Sequence, residues 1–142
     1  MNYKKIAALG VAAIVVSGCA SGLNNMESKR YAQYKARGVL VEEKNPNTGA
    51  LLGLLPGGGS FYAREPALGV LNLLAWPLSI IWDPISGFQG SRSINYTATE
   101  VSLNRSKQKA LNDLSDEMAA GNIDSQEYLL RKRKIDEQYD AE

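Results

Sequence analysis

One thiol and no imidazole limit the chemistry open to this 142-residue chain. Without histidine, Ser–His–Asp and Cys–His nucleophiles, imidazole metal sites and histidine proton relays are excluded. Cys19 is the single cysteine, so neither an intrachain disulfide nor a thiolate cluster for zinc or iron–sulfur can form. Carboxylates, hydroxyls and lysines remain, and no carboxylate pair or Ser–Lys pair has a distinctive spacing. Asp83 stands apart, because it ends an uncharged run, Pro66 to Trp82. A lone carboxylate beside apolar surface is either a proton-handling group or a helix-end residue held by backbone donors, and the second reading is preferred, with the Lys44 end of the preceding apolar piece as a polar neighbour it could face. Gly57-Gly58-Gly59 could cradle a phosphate, but no Gly-Lys-Ser/Thr follows and no strand–loop–helix context surrounds it. It reads instead as a hinge where backbones approach closely. No catalytic, cofactor-binding or metal-ligating residue is assigned.

Cys19 has another use. Lys4 and Lys5 precede an apolar run, Ile6 to Val16, which has the length of a signal-peptide core and is too short to span a bilayer. The string Val16-Ser17-Gly18-Cys19 resembles the bacterial lipobox, in which small residues suit the signal peptidase and the thiol receives a diacylglyceryl group. The resemblance implies a lipoprotein signal peptide over 1–18 and lipidation of Cys19. The mature chain then has 124 residues, with fourteen basic and fifteen acidic side chains. Ala20 follows the cysteine in place of the aspartate that favours inner-membrane retention in the Gram-negative sorting rule. The expected location is the periplasmic face of the outer membrane. Charges this evenly balanced carry no general nucleic-acid footprint.

The mature chain reads as mainly α: a flexible lipidated tether over 19–25, a short amphipathic helix and linker over 26–44, an apolar hairpin over 45–90, and a C-terminal helical hairpin over 91–142. Tyr31 and Tyr34 recur at roughly helical spacing, and Gly38 is a stop. Asn45-Pro46 is a turn signal. No charge falls between Lys44 and Arg64, nor between Glu65 and Asp83, yet Pro56 and Pro77 interrupt both runs. Two short helical pieces hinged about Phe61 to Pro66 are expected. Either they dip into one leaflet or they form the core of a soluble domain; Trp76 and Trp82 suit both. Pro84 to Thr97 is rich in Gly and Ser and reads as a loop, with a sequon at Asn95-Tyr96-Thr97 that a bacterial lipoprotein is not expected to use.

The run from Leu51 to Pro84 resembles a small bacterial membrane-hairpin domain with two transmembrane helices, through the glycines before Phe61-Tyr62, Gly69, and the Trp82-Asp83 pair. Pro56 and the short arm Ala50 to Leu55 depart from that pattern. The resemblance implies membrane insertion and no activity.

Further on, Thr97/Glu100 and Asp124/Glu127 are capping-box patterns. Leu103, Ala110, Leu111, Leu114 and Met118 form one apolar stripe, and Tyr128, Leu129, Ile135 and Tyr139 another, with Gly121-Asn122 between. The Arg131-Lys132-Arg133-Lys134 stretch is interleaved with acids and reads as a solvated face. Residues 110–136 resemble the SHOCT (short C-terminal) domain, through Leu111, Leu114, Gly121, Ile123, Glu127-Tyr128, Lys132 and Ile135. That resemblance implies an interaction module without catalytic residues.

Together these readings describe a lipid-anchored, non-catalytic envelope protein. Its expected contacts are membrane lipid, through Cys19 and the 50–82 hairpin, and a second copy or an envelope protein partner. An accessory subunit of an envelope transport system, or a carboxylate-dependent envelope enzyme, are the alternatives. Labelling with a fatty-acid analogue should mark the wild-type chain and be abolished by Cys19→Ser, which should accumulate as unprocessed precursor; label that survives the substitution contradicts the assignment.

Overall fold

A computed structural model describes residues 22–140. Those residues are mainly helical and contain no strand. Six α-helices are present: α1 (Asn25–Ala36), α2 (Pro46–Leu52), α3 (Gly58–Tyr62), α4 (Pro66–Leu74), α5 (Asp83–Ala119) and α6 (Ser125–Tyr139), with a 3₁₀ turn at Leu78–Ile81. Two compact units divide between Tyr96 and Thr97, inside α5. Cys19 lies outside the described residues.

In the first unit, α1 opens with a complete capping box. The Asn24 side chain accepts from the Met26 and Glu27 N–H groups at 2.9 Å, and the Glu27 carboxylate accepts from the Asn24 N–H at 2.8 Å. Tyr31 and Tyr34 are buried. Tyr34 stacks on Tyr96 at 6.1 Å, and the Arg92 guanidinium lies 4.9 Å from the Tyr31 ring centre. Asn45 begins a helix rather than a turn: its side chain caps the Asn47 and Thr48 N–H groups, with Pro46 at the first helical position.

The expected pair of apolar helical pieces is replaced by three short helices and a 3₁₀ turn. Pro56 and Gly57 separate α2 from α3. Arg64, at a positive φ of 63°, sits in the bend before Pro66 opens α4. Pro77 keeps α4 from continuing. No described helix is long and apolar enough to cross a membrane, so the two spanning helices implied by the hairpin resemblance are not formed.

Pro84 to Thr97, read above as a loop, belongs to α5. Pro84 falls in the first turn, where a missing N–H costs nothing. Gly87 is there because backbone packs on backbone, and Gly90 because the Ala63 side chain lies against it. A Cβ on Gly87 would lie 2.2 Å from the Gly49 carbonyl oxygen, and one on Gly49 would lie 2.4 Å from the Gly87 oxygen. Tertiary contact thus overrides helix propensity. Thr97 and Glu100 are consequently interior to a helix and cap nothing at its start.

The second unit comprises the later part of α5, a turn, and α6. Gly121 takes a left-handed φ of 75° after Ala119 ends α5, and Asp124 accepts from the Glu127 N–H at 2.8 Å to start α6. Leu114 is its one buried apolar side chain among the described residues. Leu129, expected on the apolar side, is exposed, as is Met118. Charged pairs supplement this small core. Lys107 reaches Asp136 at 3.0 Å and Asp140 at 2.8 Å, and Arg131 binds Glu117 and Glu127. The basic stretch is therefore a solvated face on which Arg131 and Lys132 are paired. Hydrogen bonds from Lys132 and then Lys107 hold the Asp136 carboxyl below its ordinary range. That contribution is present at neutral pH and is lost as pH falls through the lowered value.

Glycine substitutions should separate the two kinds of glycine. Gly49→Ala sets a methyl against backbone and should cost about 3 kcal/mol or more, read by tryptophan fluorescence during denaturation. Gly121→Ala meets open space and only the left-handed backbone cost, about 1 kcal/mol, read by circular dichroism. Equal costs would contradict the backbone-on-backbone packing.

Candidate functional site

The most organised side-chain cluster is polar, and it lies inside the apolar segment. Asp83, at the start of α5, has no exposed surface. The N–H of Gly59 donates to Asp83 Oδ2 at 3.0 Å, and the N–H of Ser60 donates to Oδ1 at 3.1 Å. The Ser60 hydroxyl donates to Oδ1 at 2.5 Å, and Asn72 Nδ2 donates to the same atom at 2.7 Å. Asn72 Nδ2 also reaches Ser60 Oγ at 2.9 Å, and Trp82 Nε1–H donates to Asn72 Oδ1 at 2.8 Å. One carboxyl group thus fastens the first turn of α3, the middle of α4 and the start of α5.

Local sequence explains why the carboxyl group can reach these donors. The first N–H groups of a helix have no partner within it. Gly57, at a φ of 70°, and Gly58 lead into α3, and the N–H groups of Gly59 and Ser60 are the ones presented to Asp83. A Cβ on Gly59 would stand 2.4 Å from the Asp83 carbonyl oxygen, so only glycine permits the approach. The triple glycine is indeed a place of close backbone approach. The N–H groups a phosphate would need are taken by a carboxylate of the chain itself. Asp83 is held by backbone donors, as expected, but they belong to another helix, and the Lys44 end does not face it.

Lys44 and Arg64 lie elsewhere. Arg64 pairs with Glu43 at 2.9 Å, and the Lys44 ammonium sits 4.4 Å from the Tyr62 ring centre. The Tyr62 hydroxyl accepts from the Asn45 N–H at 3.1 Å. The sequon residue Asn95 is fully buried and clasps the linker, accepting from the Lys44 N–H at 2.9 Å and donating to the Lys44 carbonyl at 2.7 Å. Burial raises the Glu65 carboxyl above its ordinary value. Among the described residues, no group of three His, Cys, Asp or Glu side chains could hold a metal ion.

Around the polar cluster the usual sorting is reversed. From Pro66 to Ile85 thirteen side chains are exposed, and every one is apolar. The three polar side chains of that stretch other than tryptophan, Asn72, Ser79 and Asp83, are each no more than 1 % exposed. Leu74 is 79 % exposed and Ile81 70 %. Every buried side-chain nitrogen and oxygen among the described residues has a hydrogen-bond partner. Sequence reasoning singled out Asp83 and missed Ser60 and Asn72. The available signal was a solitary polar residue inside an apolar helix. Ser60 and Asp83 have the composition of a hydroxyl–base pair, but both are sealed from solvent.

No protein family, curated protein or solved structure matches the chain.

Asp83→Asn should turn an acceptor oxygen into an amide that opposes the Gly59 or Ser60 donors. An unfolding cost of about 2–4 kcal/mol is expected, and a smaller one for Ser60→Ala, which removes one donor to Asp83 and one acceptor for Asn72, both of which keep other partners. Chemical denaturation followed by tryptophan emission measures both. A neutral Asp83→Asn would mean that the clasp does not organise the unit.

Proposed function

We propose that this protein is a lipid-anchored, non-catalytic component of the cell envelope, held by a lipid on Cys19 and seated in the membrane surface by the apolar lobe of residues 51–85. Its role is structural or assembling: the lobe fixes the chain on the bilayer, and the C-terminal helical hairpin is offered to a second copy or an envelope partner. The periplasmic face of the outer membrane is the location that the residue after Cys19 favours.

The observation that carries this reading is the reversed sorting in the first unit. In water, folding is driven by removing apolar surface. Within 51–85 only Ala63 and Leu68 are buried hydrophobics. The best-buried side chains there are polar. Lipid makes the opposite demand, because a polar group facing hydrocarbon has no partner and must be satisfied internally. The lobe meets that demand at Ser60, Asn72 and Asp83. Partial immersion of its exposed side chains is worth on the order of 10 kcal/mol, and large exposed apolar patches mark membrane or protein contacts. A non-catalytic role is supported by the sealed state of the Asp83 cluster. The interaction role of the C-terminal hairpin is supported by its one buried leucine, too small a core for an independent domain.

Flotation with liposomes tests the reading. A mature chain starting at Ala20, without acyl groups, should float with phospholipid vesicles. A freely soluble monomer that ignores vesicles would remove the membrane role of the lobe.

A further inference from the structure

Three features of the first unit bear on how such a lobe would sit, and the inference drawn from them rests on the membrane reading above. The first is polarity along the lobe. Its two ends differ in side-chain chemistry. At one end are the Glu43–Arg64 ion pair, Lys44 over Tyr62, and Asn95 clasping the Lys44 backbone. At the other are Leu74, Leu78 and Ile81, each 65 % exposed or more. Helix α4 starts at Pro66, beside Arg64, and ends at Leu74. Helix α5 starts at Asp83, against Asn72, and reaches Asn95 at the charged end. Between Ala50 and Ile85 the exposed polar side chain is Arg64, with Glu65 and Tyr62 half-buried beside it. Nothing hydrophilic is exposed toward the 74–81 end.

Length is the second feature. The nine residues of α4 rise about 13 Å. One leaflet of hydrocarbon is about 15 Å deep, half of a bilayer core. Helix α4 is therefore about as long as one leaflet is deep and too short to cross.

Third, the tether keeps a lipid on Cys19 close to the lobe. Gly22 packs so closely on Gln89 that a Cβ there would lie 2.8 Å from Gln89 Oε1. Gln89 is one helical turn from Arg92, toward the charged end of the lobe. Cys19 precedes Gly22 by three residues, a reach of at most about 11 Å. A lipid on Cys19 therefore lies within that reach of Gln89.

From these we infer that the lobe is a single-leaflet wedge: it enters the same leaflet as the Cys19 acyl chains, with Glu43 and Arg64 at the head groups and Leu74–Ile81 near the bilayer midplane. The polar atom of Trp82 does not oppose this. An indole N–H normally draws tryptophan to the wet interface, but here it is spent on Asn72, so Trp82 can be immersed. The occupant of the apolar surface is thus phospholipid acyl chain, not a second copy or a protein groove.

The test uses the full mature lipoprotein, reconstituted in phosphatidylethanolamine–phosphatidylglycerol vesicles containing lipids brominated at chosen acyl positions. Acyl anchoring keeps the protein on the vesicle whatever the lobe does. With Trp82→Phe, Trp76 should emit in the blue, resist aqueous acrylamide, and be quenched more strongly by bromine near the acyl-chain ends than by bromine near the carbonyls. Leu74→Lys should reverse that order and shift emission to the red, whereas Met26→Lys, on α1, should change neither. Quenching that is strongest near the carbonyls would mean a lobe lying flat at the interface. That overturns the wedge but leaves membrane seating intact. Resistance to bromolipid and acrylamide together would mean that protein covers the surface, and free quenching by acrylamide that water does; either overturns the inference and the lipid seating beneath it.

Discussion

The first unit depends on where the carboxyl group of Asp83 finds its hydrogen-bond donors. Four neutral donors converge on it: two backbone N–H groups of α3, the Ser60 hydroxyl and the Asn72 amide. An unpartnered carboxylate in such a place would be costly, and a fully satisfied one is strongly directional. Because the donors come from α3 and α4 and the acceptor from α5, meeting them fixes α3, α4 and the start of α5 together. The glycine contacts follow, since the helices must approach until backbone touches backbone. So does the reversed sorting. Once Ser60, Asn72, Ser79 and Asp83 occupy the interior, the leucines, isoleucines and tryptophans of the same helices have only the outside left.

Such a design changes value with its solvent. In water the lobe would be a small polar core wrapped in exposed hydrocarbon, held by bonds that water can replace. In a medium of low polarity the same hydrogen bonds strengthen and the exposed side chains cost nothing. The proposed anchoring at Cys19 would keep the lobe close to that medium. The second unit follows the ordinary aqueous pattern, with charges outside, ion pairs between helices, and Leu114 between them.

Much of this architecture was legible in the sequence wherever a local rule decides it. The left-handed turn at Gly121 and the Asp124 cap of Glu127 follow from residue type alone. So does the start of a helix near Met26. The uncharged stretches flanking Arg64-Glu65 announced an apolar lobe. What could not be read depended on contacts distant in sequence. Pro84 to Thr97 has the composition of a loop, yet Gly87, which weakens a free helix, is the residue that lets α5 lie against α2 and α3. Asn45 looked like a turn residue and is a cap. Asn72 and Ser60 carried a signal only as isolated polar residues among apolar ones. Their meaning appears when they meet Asp83, eleven and twenty-three residues away.

The central claim is that the apolar shell of 66–85 faces lipid while its polar residues face inward. Collision accessibility of spin labels tests it most directly. With Cys19 acylated, a cysteine introduced at each position from Val70 to Ile81 is the sole labelling site in the membrane-bound protein. The account predicts labels at Val70, Leu71, Leu73, Leu74, Leu78, Ile80 and Ile81 that collide freely with oxygen and hardly with a water-soluble nickel chelate. Labels at Asn72 and Ser79, where folding permits them, should be reached by neither. Nickel-accessible labels along the shell, or labels there shielded from both reagents, would contradict it.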